Sequence, residues 1–438
     1  MESWYRRGMT DSAEASRGDS RGFVAASLHL LQTNRDYRLL WLAQVTSLLG
    51  DWFNTIALYT LVKALTGSAL AMGLVFSIKM AAFALASPPA GLIADRVDRR
   101  RLMIATDLFR GVVVCGFLFV DASPQVPWLY ALIGLQMVAG AAFYPARSAS
   151  IPNVVSPSEL LNANALGAAT WSTMLALGAA LGGFATEWLG TDAVFMIDAA
   201  TYLVAAGCVF AARVPQSTER SRPGNPLVVA LSDILSGWQY LIARPHIGRI
   251  ALAKSKWGLF GGGLVFMQTQ IGDQVAGGSL AVGLGVLFAA RGIGTGIGPI
   301  AARRLLRNQR KWPVQLGMLS CASGLFYLVV AVMPWTPWVV IPVVLAHCCS
   351  GANWVMATVI LQQRADDAYR GRVFATEWLL LSMVEAVAVV LCSLFLEQGW
   401  LTLRDAVLVF AAGLASMGAL WVFWLRSVES EPKASPPS

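Results

Sequence analysis

Charge is scarce in this chain, and that scarcity is the first constraint on what it can be. Asp, Glu, Lys and Arg supply 13% of the 438 residues, against 56% hydrophobic residues and a mean hydropathy of +0.59. A soluble domain needs a larger polar share to cover its surface, so a lipid-facing protein is implied. Histidine is almost absent: His29, His246 and His347 are scattered, so no metal site is expected. The cysteines Cys115, Cys208, Cys321, Cys348, Cys349 and Cys392 lie inside apolar segments without CxxC spacing. They read as small apolar side chains rather than a disulfide framework. Clustered catalytic groups are missing too, which argues against a membrane enzyme. Gly292, Gly294, Gly296 and Gly298 resemble a phosphate loop only in composition, with no lysine and no preceding strand. Neither a nucleotide nor any other cofactor is expected. The net charge of +8 is spread in short clusters rather than one patch, so nucleic acid is not an expected partner.

Long apolar runs are what the chain has in abundance. A helix crossing about 30 Å of hydrocarbon needs about 20 apolar residues. Twelve segments qualify, near 38–62, 69–90, 102–120, 128–146, 162–186, 193–212, 247–271, 279–300, 312–332, 338–360, 373–396 and 404–425. The seventh is the weakest, because Lys254 and Lys256 sit near its start. Arginine and lysine crowd the N-terminal tail and the even-numbered loops, notably Arg96 to Arg101, Arg303 to Lys311 and Arg364 to Arg372. The odd-numbered loops hold only Lys63 and Arg404. By the positive-inside bias both termini are cytoplasmic in a multi-pass inner-membrane protein.

The predicted fold is all-α, with twelve transmembrane helices in two pseudo-symmetric six-helix bundles. Residues 1–37 read as a disordered cytoplasmic tail with no signal peptide, 38–212 as the first bundle and 247–426 as the second. Residues 427–438 form a second tail. Between the bundles, 213–246 forms a cytoplasmic linker. There Leu227, Leu231, Ile234, Leu235, Trp238 and Leu241 recur at helical spacing, giving a helix that joins the bundles or lies on the membrane surface. An internal repeat supports the division. Gly67-Ser-Ala-Leu-Ala-Met-Gly-Leu74 and Gly277-Gly-Ser-Leu-Ala-Val-Gly-Leu284 stand 210 positions apart, as do Pro89 and Pro299, and Arg100 and Arg310.

Between the second and third segments runs Gly91-Leu-Ile-Ala-Asp95-Arg96-Val-Asp98-Arg99-Arg100. It resembles the G-x-x-x-D-R-x-G-R-R signature of the major facilitator superfamily at Gly91, Asp95, Arg96, Arg99 and Arg100. Asp98 replaces the second glycine; aspartate tolerates the left-handed backbone such a turn uses. In the second half Leu305 stands where Asp95 would align. The resemblance covers residues 35 to 425. It implies a cytoplasmic latch that stabilises the outward-facing state, with Asp95 near the start of span eleven, whose helix N-terminus attracts negative charge. Arg147 is a further candidate member. Leu40-Trp-Leu-Ala-Gln44, Pro145-Ala-Arg147-Ser148, Leu161-Asn-Ala-Asn-Ala165 and Arg370-Gly-Arg-Val-Phe374 look like the branch holding enterobactin exporters and macrolide-efflux proteins.

Ionisable residues inside spans cost roughly 2.5–3.5 kcal/mol each, so each is a candidate functional group. At 1.5 Å per residue, Asp51 and Lys79 project to about mid-membrane from opposite sides, where they are positioned to pair. Asp51 is then either a proton site or half of a permanent ion pair. Arg291 and Glu385 reach mid-depth in the second half as candidates for substrate contact, and Glu377 lies nearer the gate. Asp107 and Arg110 share a helix face and are expected to pair locally. Asp198, early in its span, reads as structural and near the outer interface. Trp52, Trp171, Trp354 and Trp378 lie deep enough to line an aromatic cavity.

Together these features point to a monomeric, alternating-access secondary transporter, with protons as coupling ion and a small amphipathic substrate of the drug or siderophore class. The alternatives are a carrier of lysophospholipid-like solutes and a non-transporting sensor on the same scaffold.

Overall fold

The computed structural model describes residues 22–216, 225–306 and 308–429, and every regular element among them is helical. The first half comprises α1 (Phe23–Thr33), α2 (Arg35–Thr66), α3 (Ala69–Arg96), α4 (Arg99–Cys115), α5 (Val126–Val154) and α6 (Leu160–Ala211). After α7 (Pro226–Ala243), the second half comprises α8 (Pro245–Val275), α9 (Leu280–Leu305), α10 (Trp312–Val332), α11 (Val340–Arg364), α12 (Asp367–Glu397) and α13 (Leu403–Glu429).

The twelve spans are present, in places under other boundaries. The fifth and sixth are the two arms of α6, which breaks at Gly190, where φ is 81° and a side chain would be strained. By length and apolar content alone, ten helices qualify as spans; that set includes α7 and counts α6 once. It leaves out α2 and α8, which carry Asp51, Lys63, Lys254, Lys256 and Asp273. The weak seventh segment is nonetheless a continuous helix, because Lys254 finds a carboxylate in Glu377 and Lys256 lies over the Trp421 ring.

Part of the expected N-terminal tail is ordered structure. Asn34 caps α2 by accepting from the Tyr37 amide, while Leu30 and Tyr37 bury themselves against Ile151, Val155 and Ala163. Apolar side chains that find a core do not stay in solvent, which is why the helix forms within 1–37. The remainder of that tail, 1–21, lies outside the described residues. So do 217–224 of the linker, Arg307, and 430–438 of the C-terminal tail.

Helix α7 keeps Leu227, Leu231 and Leu235 exposed on one side and docks its other side on the start of α12. Asp233 pairs with Arg372 at 3.0 Å, Thr376 donates to the Ile234 carbonyl at 3.2 Å, and Tyr240 stacks on Tyr369 with centroids 4.8 Å apart. Arg244 adds an ion pair to Asp366 at 3.1 Å.

The two halves meet along two seams, α6 against α9 and α3 against α12. Small residues let these backbones approach, as expected where lipid supplies no hydrophobic drive for helix association. A Cβ on Gly183 would fall 2.6 Å from the Ala281 carbonyl oxygen and 3.1 Å from Gly285. Gly183→Val should therefore prise the seam open at a cost of about 1–3 kcal/mol. Disulfide formation between cysteines placed at 187 and 279, read by gel mobility, is expected to slow by roughly tenfold. An unchanged cross-linking rate would contradict the packing described.

Candidate functional site: a charged cleft between two six-helix halves

Polar contacts between the halves gather at the arginine-poor end. Lys63 at the end of α2 pairs with Asp273 at the end of α8 at 3.0 Å, two positions 210 apart. Ser68 donates to Glu397 at 2.9 Å, and Ser279 donates to Glu187; the two glutamates are again 210 apart. Gly183 packs on Ala281 and Gly285, while Ser393, at the same offset from Gly183, packs on Gly73. The repeat seen in the sequence is thus a pseudo-two-fold axis, and the closed end is built from its symmetry mates.

Inside the first half, the mid-depth charges are each met by a neighbouring side chain. Tyr202 donates to Asp51 Oδ1 at 2.6 Å and accepts from Gln136 at 3.1 Å. Asn54 donates to Asp198, which is fully buried rather than interfacial. Asp107 and Arg110 form the expected local pair, also buried, with the guanidinium over the Tyr202 ring at 4.4 Å. The direct Asp51–Lys79 pair is not made. Lys79 donates instead to Thr55 at 2.7 Å, with Asp51 and Asp198 within electrostatic reach. One turn separates Asp51 from Thr55, so the ammonium settles on the hydroxyl while the tyrosine holds the carboxylate. Sequence reasoning missed Asn54, Gln136 and Tyr202, because neutral polar residues inside a span carry no charge signal.

The second half repeats the theme with different residues. Arg291 and Glu385 lie within electrostatic reach of each other, and the Glu385 stem packs against Gly262. Behind them Gln268, Tyr327 and His347 close a buried triangle, with Tyr327 2.8 Å from His347 and Gln268 2.6 Å from Tyr327. Nearer the arginine-rich end, Lys254 pairs with Glu377 at 3.0 Å and donates to Thr358 at 2.8 Å. Its ammonium sits 4.6 Å from the Trp354 ring centre. A chain of rings then crosses the cleft: Trp354 to Trp378 at 5.8 Å, Trp378 to Phe83 at 6.5 Å, and Phe83 to Tyr144 at 5.7 Å. Trp52 meets Phe288 across the halves at 6.1 Å. Trp171 is exposed and belongs to none of the ring pairs among the described residues.

The signature motif occupies the arginine-rich end, where Asp98 caps α4 by accepting from the Arg101 amide at 2.7 Å. Asp95 is half exposed and pairs with Arg99 at 3.3 Å instead of reaching the start of α12. The charge it would offer that helix end is met by Arg99, one turn along. Arg99 also donates to the Ala149 carbonyl, and Arg100 caps the end of α6 through the Val209 and Phe210 carbonyls. Gly91 has open space around it. Arg147 turns away from the motif and donates to Gln44 on α2.

A two-fold pair of helical bundles with charged groups in the cleft between them defines a membrane transporter architecture. The family model described as Major Facilitator Superfamily matches residues 40–377, and the chain belongs to that superfamily. It is 27% identical to the enterobactin exporter EntS of Escherichia coli O81 (strain ED1a), over 79% of this chain and 82% of that one. It is 27% identical to the MFS-type transporter y4rN of Sinorhizobium fredii (strain NBRC 101917 / NGR234), over 77% and 83%. A 27% match to the MFS-type transporter YfiS of Bacillus subtilis (strain 168) covers 56% of this chain and 57% of that protein. Among solved structures, the POT family transporter PepTSo superposes with a TM-score of 0.72 at 13% identity, covering 91% of this chain and 99% of that one. An inward-facing, unoccupied bacterial homologue of the lysosomal transporter Spinster gives 0.66 at 16%, covering 91% and 96%.

Breaking a buried ion pair strands a charge, at a cost of about 3–5 kcal/mol. Asp107→Asn is expected to lower the thermal midpoint of the purified protein in detergent. Asp107→Leu combined with Arg110→Met should recover most of that loss. Equal melting of the native and Asp107→Asn proteins would show that the pair contributes nothing.

Proposed function

We propose that the chain is a secondary active transporter that works by alternating access as a monomer and exports a small amphipathic compound against proton entry. The observation that carries this reading is the pseudo-symmetric closure at one end, with a polar, ring-lined cleft between the halves beyond it. Rocking the halves about such a closure exposes the cleft to each side in turn. The positive-inside bias puts the arginine-rich end, with both termini, in the cytoplasm. On that assignment the conformation is inward-facing, and the Asp95–Arg99 pair is the latch in its released form. Closure on the cytoplasmic side would then bring Asp95 to the start of α12.

Asp51 and Glu385 are the proton-carrying candidates. Each is a carboxylate in a low-dielectric interior with a cation nearby, so its charge governs how firmly its own half is held together. Lys79 and Arg291 are those cations, and Trp52, Trp354 and Trp378 supply apolar walls. Export of an amphipathic compound is drawn from the likeness to the enterobactin exporter EntS.

Flux into proteoliposomes under an imposed pH gradient tests it. Transport of a fluorescent amphipathic compound should accelerate toward the more acidic compartment, and Asp51→Asn or Glu385→Gln should leave residual flux indifferent to pH. Flux independent of pH in the native protein would remove proton coupling. Binding without any flux would favour a sensor.

A second reading, passage of a lipid-like solute, is favoured by a mostly apolar groove of 340 Å³ between α3 and α12, lined by Ile78, Ala81, Met383 and Val387, with Ser77 tied to the Ala386 carbonyl. Its expected signature is transbilayer movement of labelled lysophospholipid that slows when Ala81→Trp fills the groove. Unaltered movement in that variant would count against it.

A further inference from the structure

Arg147 is more than nine-tenths buried, its neighbour Gln44 offers only a neutral oxygen, and its Nε has no hydrogen-bond partner. No carboxylate pairs with it among the described residues. Across the cleft, Lys254 is equally buried but shares its charge with Glu377 and Thr358. The 210-residue offset relates these two stations. It takes Gln44, the partner of Arg147, to Lys254; Gly167, whose carbonyl Gln44 engages, to Glu377; and Tyr144 to Trp354. Helices α2, which carries Gln44, and α8, which carries Lys254, touch at Lys63–Asp273, and Gln44 and Lys254 each lie 19 residues before that contact, so the stations stand at matching depth. Between them runs the ring chain from Tyr144 to Trp354, in which both tryptophans keep more than a third of their surface open. The region therefore sets two cations against one carboxylate among several ring faces, a net positive field that draws an anion.

We propose that Arg147 and Lys254 form a two-sided anion site whose ligand is a planar aromatic anion, and that this ligand takes Lys254 from Glu377, which binds a proton in exchange. The balance is simple: the Lys254–Glu377 pair, one ligand anion and one proton from the open cleft become a Lys254–ligand pair and a neutral Glu377 acid. A guanidinium offers a planar fork to a carboxylate, and the tryptophan faces accept the ring by stacking. Of the charged groups on elements packed against α12, Lys254 is the one paired with Glu377, while Lys79 of α3 is held by Thr55 and Asp273 of α8 by Lys63. Lys256 turns to Trp421, Asp233 of α7 is held by Arg372, and Asp95 of α3 is held by Arg99. Arg404 and Asp405 of α13 lie at the arginine-poor end, and Glu385 on α12 itself faces Arg291.

This site deepens the transport reading and rests on it for the cleft's role, yet binding is measurable without flux. Isothermal titration of the full chain in detergent would compare 2-naphthoate, 2-naphthylmethylammonium and cyclohexanecarboxylate. Naphthoate should bind about tenfold or more tightly than either of the others. Arg147→Gln and the double variant Lys254→Gln/Glu377→Gln should each lower naphthoate affinity by about tenfold. Glu377→Gln alone should raise it and abolish the proton uptake, seen as a dependence of binding enthalpy on buffer. Circular dichroism identifies any variant that has lost its helices; Arg147→Gln breaks no ion pair, so it should fold and can decide the case alone. Preference for the ammonium, or naphthoate affinity unchanged in Arg147→Gln, overturns the proposal. Naphthoate binding with no flux of any compound removes the transport reading and leaves this site standing. Flux of other compounds with no naphthoate preference does the reverse.

Discussion

A charge inside a low-dielectric interior must be met locally, and nearly every feature of this cleft follows from that requirement. Water is unavailable to solvate Asp107 or Arg110 at 0% and 2% exposure, so each is the other's solvent. The same holds for Lys254 and Glu377. Where the partner is neutral, as for Asp51 with Tyr202 or Lys79 with Thr55, the charge is held by hydrogen bonds alone. Mobile and fixed polar groups are thereby separated within one bundle. The Asp107–Arg110 pair is held charge to charge, whereas Asp51 and Lys79 are each held by a neutral hydroxyl.

Contacts between the halves are distributed unevenly along the molecule. Small residues and short polar side chains bring the backbones together at the arginine-poor end, so the contact there is close and directional. At the opposite end the described contacts across the halves are aromatic and looser. There α7 reaches from the Arg372 and Asp366 region toward α3. That helix touches elements of both halves and so follows any relative rotation between them.

Much of the architecture was legible from apolar run length alone, because a span of hydrocarbon leaves little freedom in how a chain satisfies its backbone. The failures have specific causes. The turn at Gly190 falls in the gap already read between 186 and 193, where Glu187, Thr191 and Asp192 interrupt the apolar run, but that a single residue makes it was not legible. The α1 helix was read as tail because its stabilisation comes from Ile151 and Ala163, far along the chain. Charged site residues were easy to nominate, since each violates the composition around it, but their partners were not. Distance along a helix says nothing about which neighbour wins, and Thr55 displaced Asp51 as the contact of Lys79. Lys254 was noticed only as a flaw in a span, although the 210-residue repeat already aligned it with Gln44 and aligned Tyr144 with Trp354.

The Lys63–Asp273 lock has a consequence for how such a chain can arise. On a two-fold axis every residue faces its own copy, so two identical six-helix polypeptides would set lysine against lysine, or aspartate against aspartate, and be pushed apart there. Opposite charges at that point require two halves that differ in sequence there, as these do. The bond is therefore a place where the two-fold symmetry is broken in charge although it is kept in backbone position.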